Sequence, residues 1–185
     1  MATATSSLPL SAGTWTPDLA HSSVEFVVRH MGLSKVRGRF GSFDAQLVVG
    51  NSLHETAVSA AVALESVDTG NPDRDTHLKT PDFFGVESHP TMEFRSTRIV
   101  PDGGHYRMAG DLMIKGVTNP VELDAEFTGV VVGPDGELRA GFSAVGELSR
   151  KSFGIEFNAP LGADAVLVAD RVRIELEIQF VAPAV

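Results

Sequence analysis

Alternation of apolar and polar side chains with a period of two restricts the fold of this chain more than any other feature. In Val172-Arg173-Ile174-Glu175-Leu176-Glu177-Ile178-Gln179-Phe180 every even position is apolar, and the odd positions between them are charged or polar. A strand sends successive side chains to opposite faces, so this pattern makes a strand with one dry face and one wet face. The pattern recurs at Trp15 to His30, Val36 to Val49, Ala57 to Val67, Thr91 to Ile99, Tyr106 to Lys115, Val121 to Val132 and Leu138 to Ser149. So many one-sided strands in 185 residues predict an all-β protein, an eight-stranded antiparallel barrel curled around its apolar side.

The punctuation agrees. Pro101-Asp102-Gly103-Gly104 and Gly133-Pro134-Asp135-Gly136 are hairpin turns, and Gly116 to Pro120 reverses the chain. Gly38 and Gly41 lie inside a strand pattern, where glycine marks a bend or bulge. The segment Asp68 to Pro90 breaks the rhythm and predicts a short helical connection. Asn71-Pro72-Asp73 starts a helix, because Asn caps and Pro fits the first position, with Asp73 and Asp75 favourable in the first turn. A second start is read at Thr80-Pro81-Asp82, ended by Gly85. Lying across one barrel end, the pair would either point Leu78, Phe83 and Phe84 into the mouth or merely plug it.

Charge and composition narrow the partners. With 24 acidic against 15 basic residues the net charge is -9, which opposes nucleic acid and anionic surfaces as general partners. Cysteine is absent, so disulfides and thiolate metal sites are excluded. No stretch approaches the ~20 apolar residues of a membrane span. Met1 to Gly13 has no basic start and no apolar run of signal-peptide length. Residues 1–13 are therefore expected as a disordered tail before a single barrel domain, residues 14–185, in a cytoplasmic protein.

The inner face decides function. Its expected lining is Phe26, Val28, Phe40, Leu47, Val62, Leu64, Phe94, Met108, Leu112, Leu123, Phe127, Phe142, Ile174 and Leu176, with Phe83, Phe84 and Arg150 at the mouth. Small residues fall among them: Gly38, Ala60, Gly110, Ala125, Ala140 and Ala144. That mixture suits a narrow tunnel or a tapered, filled core. In a tunnel, Ala125→Phe or Gly110→Leu is tolerated and evicts a guest; in a filled core each overpacks, at ~1–3 kcal/mol. Few inward positions can hydrogen-bond, so a sugar or nucleotide would lose its hydration without replacement. A linear hydrocarbon fits better: at ~0.8 kcal/mol per methylene, about twenty carbons give ~16 kcal/mol before ordering costs.

Catalytic arrangements find little support. His21, His30, His54, His77, His89 and His105 show no pair at a zinc-site spacing. His21-Ser22-Ser23 lacks a nucleophile elbow, and Gly129 to Gly136 lacks the lysine of a phosphate loop. Asp73-Arg74-Asp75 reads as caps and surface ion pairs. No catalytic or metal residue is assigned, and no cofactor is expected. Arg150 continues the inward row Phe142, Ala144, Gly146, Leu148. It either forks onto the phosphate of an amphiphile or pairs with a carboxylate of the 68–90 segment.

Several runs carry a likeness. They are Trp15-Thr16-Pro17-Asp18 with His21-Ser22, Val24, Phe26 and His30-Met31; Val36, Gly38 and Phe40; and Arg74-Asp75 with His77-Leu78 and Asp82-Phe83-Phe84. Further on come His89-Pro90 with Met92, Phe94 and Ser96; Gly110, Leu112 and Ile114-Lys115-Gly116-Val117-Thr118; and Arg150 with Phe153-Gly154-Ile155. In this order and spacing the chain resembles the YceI-like family from about Trp15 to Phe180. The resemblance implies a lipocalin-like barrel binding a long polyisoprenoid, such as an isoprenoid quinone or a polyprenyl phosphate, for transport, storage or sequestration. It also implies a homodimer. Many members carry a periplasmic leader, from which this chain departs. An enzyme acting on an isoprenoid, with Arg150, His77 and Asp75 at the mouth, and a filled barrel acting through its exterior are the competing readings.

Overall fold

The first alternating stretch is interrupted. β1, Gly13–Pro17, and β2, Ser23–His30, flank a 3-10 turn at Leu19–His21, where the Asp18 carboxylate accepts from the Ala20 N–H at 3.1 Å. The second is bent at Gly41 between β3, Ser34–Phe40, and β4, Phe43–Val49. A 3-10 turn at Leu64–Ser66 parts β5, Ala57–Ala63, from β6, Val67–Asp68. The Gly41 N–H donates to the Ser66 carbonyl at 3.1 Å, so these last two breaks hold each other. The remaining strands are continuous: β7, Thr91–Asp102; β8, His105–Ile114; β9, Val117–Val132; β10, Leu138–Ser149; and β11, Val168–Val181. The computed structural model describes residues 7–162 and 165–184.

All strands belong to one antiparallel sheet that closes on β11. One edge of β11 pairs with β10 from Arg139↔Val181 to Ser149↔Arg171. Its other edge pairs with β1 at Pro17↔Phe180 and then with β2 at Ile174↔Phe26. Each broken pair of segments thus acts as one bent strand, and the expected eight-stranded lipocalin-like barrel is what forms. The bends matter: an unbroken strand of that length would splay off the curved wall.

Where elements differ from expectation, hydrogen bonds explain it. β9 starts at Val117 because Lys115 and Gly116, at φ 54° and 75°, close a two-residue hairpin. α1, Pro72–Lys79, is capped by the Asn71 side chain, which accepts from the Arg74 N–H at 3.0 Å. The second expected helix, at Thr80, does not form. There the Phe84 and Val86 N–H groups donate back to the Leu78 and Lys79 carbonyls, at 3.0 and 2.9 Å, and spend on the end of α1 the bonds a new helix would need. Ahead of β1 the chain makes contacts of its own. Leu8 is buried in the core and the Trp15 indole donates to Ser11 O at 3.0 Å; residues 1–6 lie outside the described residues.

Candidate functional site

Inward side chains leave space within the barrel. Val24, Phe26 and Val28 of β2, Phe94 of β7, Phe142 of β10, and Ile174, Leu176 and Ile178 of β11 face inward yet are only partly buried. They line a cavity of about 430 Å³. That volume lies within the ~300–1,000 Å³ of small-molecule sites.

The expected lining is largely assembled. Phe26, Val28, Phe40, Leu47, Val62, Phe94, Met108, Leu112, Leu123, Phe142, Ile174 and Leu176 border the cavity from their strands, and Phe83 and Phe84 border it from the segment after α1. Two residues do not. Leu64 sits on the 3-10 turn where the alternation lapses, wholly buried with Phe40, Val62, Val67 and Val86. Phe127 stays in register with Phe142, next to the bulge at Thr128, and packs on the Phe142 ring at 5.3 Å between centroids instead of reaching the cavity.

The open space has a different source from the one the small residues suggest. A β-carbon on Gly38 would fall within the Phe26 ring, and one on Gly110 within the Phe94 ring, with the Arg95 carbonyl 2.6 Å away. Those glycines are covered by phenylalanines from the neighbouring strand. Gly110→Leu therefore overpacks whether the barrel is hollow or not. Ala60, Ala125 and Ala144 do border the cavity, whereas Ala140 is fully buried outside it.

Arg150 borders the cavity, and its guanidinium turns to backbone carbonyls and not to a carboxylate of the 68–90 segment. It is 4% exposed. Its Nε donates to Ala169 O at 2.9 Å, Nη1 to Ile155 O at 2.8 Å and Nη2 to Val168 O at 3.1 Å. Burial lowers its pKa from the usual arginine value, and the nearby Asp170 charge works against that. Asp170 in turn accepts from Ser149 Oγ at 2.7 Å and from the Lys151 N–H at 3.0 Å. Burial pushes the Asp170 carboxyl upward, but these two bonds and the Lys151 and Arg150 charges outweigh it and leave the pKa lowered. Together the groups clasp the end of β10 to the start of β11.

Most of the polar lining gathers at one end, around α1. Arg74 donates to Thr69 Oγ1 at 2.7 Å and to Thr69 O at 2.9 Å, and Asp75 accepts from the Thr69 N–H at 2.9 Å. His77 Nε2 lies 2.9 Å from the Asp82 carboxylate, its ring edge-on to Phe83 and Phe157 at 5.0 and 4.8 Å. Lys115 Nζ donates to Pro81 O at 2.6 Å, so the β8–β9 hairpin carries the segment that brings Phe83 and Phe84 over the barrel. Exposed Arg29 and half-buried His30 complete this rim, which is where the cavity meets solvent. Buried Leu8, Leu47 and Phe180 floor the other end. Leu8, Phe43, Met92 and Phe157 were not expected in the lining, yet each borders it. Phe43 and Met92 begin strands, and Leu8 and Phe157 lie in segments with no alternation to read.

Among the described residues no group of three or more His, Cys, Asp or Glu is placed to hold a metal ion, and no helix is long and apolar enough to cross a membrane. A YceI-like domain model matches residues 15–180. The chain belongs to the YceI-like family. A UPF0312 protein of Staphylococcus epidermidis is 36% identical over 165 residues, 88% of this chain and 94% of that one. One from Staphylococcus aureus is 35% identical over 168 residues, 90% and 96% of the two chains. Among solved structures, a YCEI protein of Campylobacter jejuni superposes with a TM-score of 0.71 at 28% identity, covering 84% of this chain and 90% of its own. BcnA of Burkholderia cenocepacia gives 0.77 at 23% identity, covering 88% and 98%. A polyisoprenoid binding domain from Saccharophagus degradans gives 0.64 at 12% identity, covering 91% and 98%. The last two likenesses are of fold. In this YceI-like chain the fold makes a barrel around an apolar cavity.

Proposed function

We propose that this YceI-like barrel holds a long apolar isoprenoid, an isoprenoid quinone or a polyprenyl phosphate, in its central cavity, for transport, storage or sequestration. One observation carries the reading: Phe26, Phe94, Phe142, Ile174 and Leu176 turn inward yet stay only partly buried, around an apolar cavity of about 430 Å³. Such a lining offers a hydrocarbon everything it needs and a hydrated polar molecule almost nothing. The polar rim of Arg29, His30, Thr69, Arg74 and His77 suits a head group left near water. The Saccharophagus degradans domain, named for binding a polyisoprenoid, shares the architecture and lends support.

Organic-solvent extraction of protein purified from untreated cells, followed by mass spectrometry, tests the proposal. An isoprenoid should be recovered, chemically unchanged after long incubation, and Ala125→Phe, which projects a ring into the cavity, should lose it while remaining folded. Protein that is repeatedly empty at full stability, and that takes up no ubiquinone supplied on cyclodextrin, would overturn the reading. Conversion of the recovered lipid, abolished by His77→Ala, would replace it with an enzyme.

A further inference from the structure

The rim where the cavity meets solvent is flanked by two chain reversals whose apolar side chains point into water. One is the β2–β3 hairpin, where Met31 is 42% and Leu33 79% exposed. The other is the turn joined by the Pro160↔Val166 bridge, where Leu161 is 41% and Val166 45% exposed. The Met31 N–H donates to Leu167 O at 2.9 Å, so the two tips stand side by side. His30, beside Met31, and Leu167, beside Val166, both border the cavity, so the apolar tips run directly into the bore.

The charge beneath these tips is unusual for this chain. Arg29 and Lys35 are directly opposite across the β2–β3 ladder, and both are exposed. Like charges so placed oppose pairing of the strands. Farther along β3, Arg37 is neutralised by Glu175 at 2.7 Å and Arg39 by Asp68 at 3.1 Å. Arg29 and Lys35 have no carboxylate partner among the described residues. On a protein of net charge -9 this is a local cationic spot, and it shares a surface groove with Met31 and Val166.

We infer that this end of the barrel docks on an anionic lipid surface, with Met31, Leu33, Leu161 and Val166 entering the head-group layer and Arg29 and Lys35 facing the lipid charges. Exposed apolar side chains above paired cations are the composition of an interfacial anchor. The negative remainder of the molecule would be held away, so only this end can approach. The inference rests on the proposed isoprenoid guest for its purpose: seated this way, the bore opens onto the layer in which such a guest dissolves.

The test is co-sedimentation of the protein, guest-free, with vesicles of equimolar phosphatidylcholine and phosphatidylglycerol, compared with phosphatidylcholine alone. The wild type should sediment with the mixed vesicles and far less with the neutral ones. Leu33→Asp and Lys35→Glu should each weaken association roughly tenfold. Both positions are exposed and Lys35→Glu relieves the repulsion from Arg29, so neither variant should lower the midpoint of thermal unfolding. No association by the wild type, equal association with both vesicle types, or variants that bind as the wild type does would overturn the inference. So would a wild-type dimer that Leu33→Asp dissociates without any vesicle binding, since that face would then belong to a second copy. Uptake of ubiquinone from cyclodextrin is measured separately: its failure would count against the proposed guest and leave the sedimentation result standing.

Discussion

The ring of Phe26 lies over Gly38 on the neighbouring strand, in the place where a side chain at that position would stand. The pair is one unit of packing: glycine lets the ring lie flat on the wall, and the ring covers backbone that glycine leaves bare. Gly38→Ala should destabilise the protein by about 1–3 kcal/mol through overpacking, measured by urea unfolding. Adding Phe26→Leu should recover part of that loss, because the smaller side chain vacates the contested space. A simple sum of the two single effects would show that the positions do not interact.

Arg150 holds three backbone carbonyls that no other side chain reaches together. Arg150→Met keeps most of the apolar stem and removes every donor, leaving Ala169 O and Ile155 O short of a partner. Val168 O keeps a bond from Asn158 Nδ2 at 2.8 Å. The expected loss is roughly 2–4 kcal/mol in denaturant unfolding, given ~1–3 kcal/mol for each buried group left unsatisfied. Amide exchange should quicken around residues 155–170 before it does elsewhere.

Asp170 makes the same clasp sensitive to acid. Its pKa in the folded protein is below the usual 3.8, so the folded state favours the carboxylate more than the unfolded chain does. The stability this contributes is present above the unfolded value and is lost as pH falls through the folded one. Urea midpoints should therefore drop as the pH is taken down from about 4. Asp170→Asn should be less stable than the wild type at neutral pH and should show a shallower acid loss, so that the two curves converge. Parallel curves for the two proteins would remove Asp170 from the account.

The barrel could be read from the chain because its cause is local: a one-sided strand has to bury its dry face. Val172 to Phe180 states this in nine letters, and β11 follows it residue by residue. The interruptions were harder. Leu64 fits a strand pattern, but a 3-10 turn intervenes, and nothing in Leu64-Glu65-Ser66 opposes either conformation. Phe127 fails beside a bulge at Thr128 on its own strand, which depends on how two strands pair and not on either sequence alone. Gly38 and Gly110 were legible as small, but whether their space is vacant or taken depends on a ring across the ladder. Arg150 borders the cavity from the end of its row, whereas its partners are backbone carbonyls, which carry no residue signature. Asp75 and Lys115, matched as family motifs without a task, turn out to tie α1 and the segment after it across the barrel end.

Arg29, His30, Thr69, Arg74 and His77 stand at one end of the bore, and Leu8, Leu47 and Phe180 stand at the other. A channel with a single wet terminus is a gauge as well as a container. Any slender molecule inside it has one permitted direction, tail inward. Its reach is set by a wall rather than by chemistry. Homologous tails of different lengths would then differ not in how they are recognised but in how much of each protrudes.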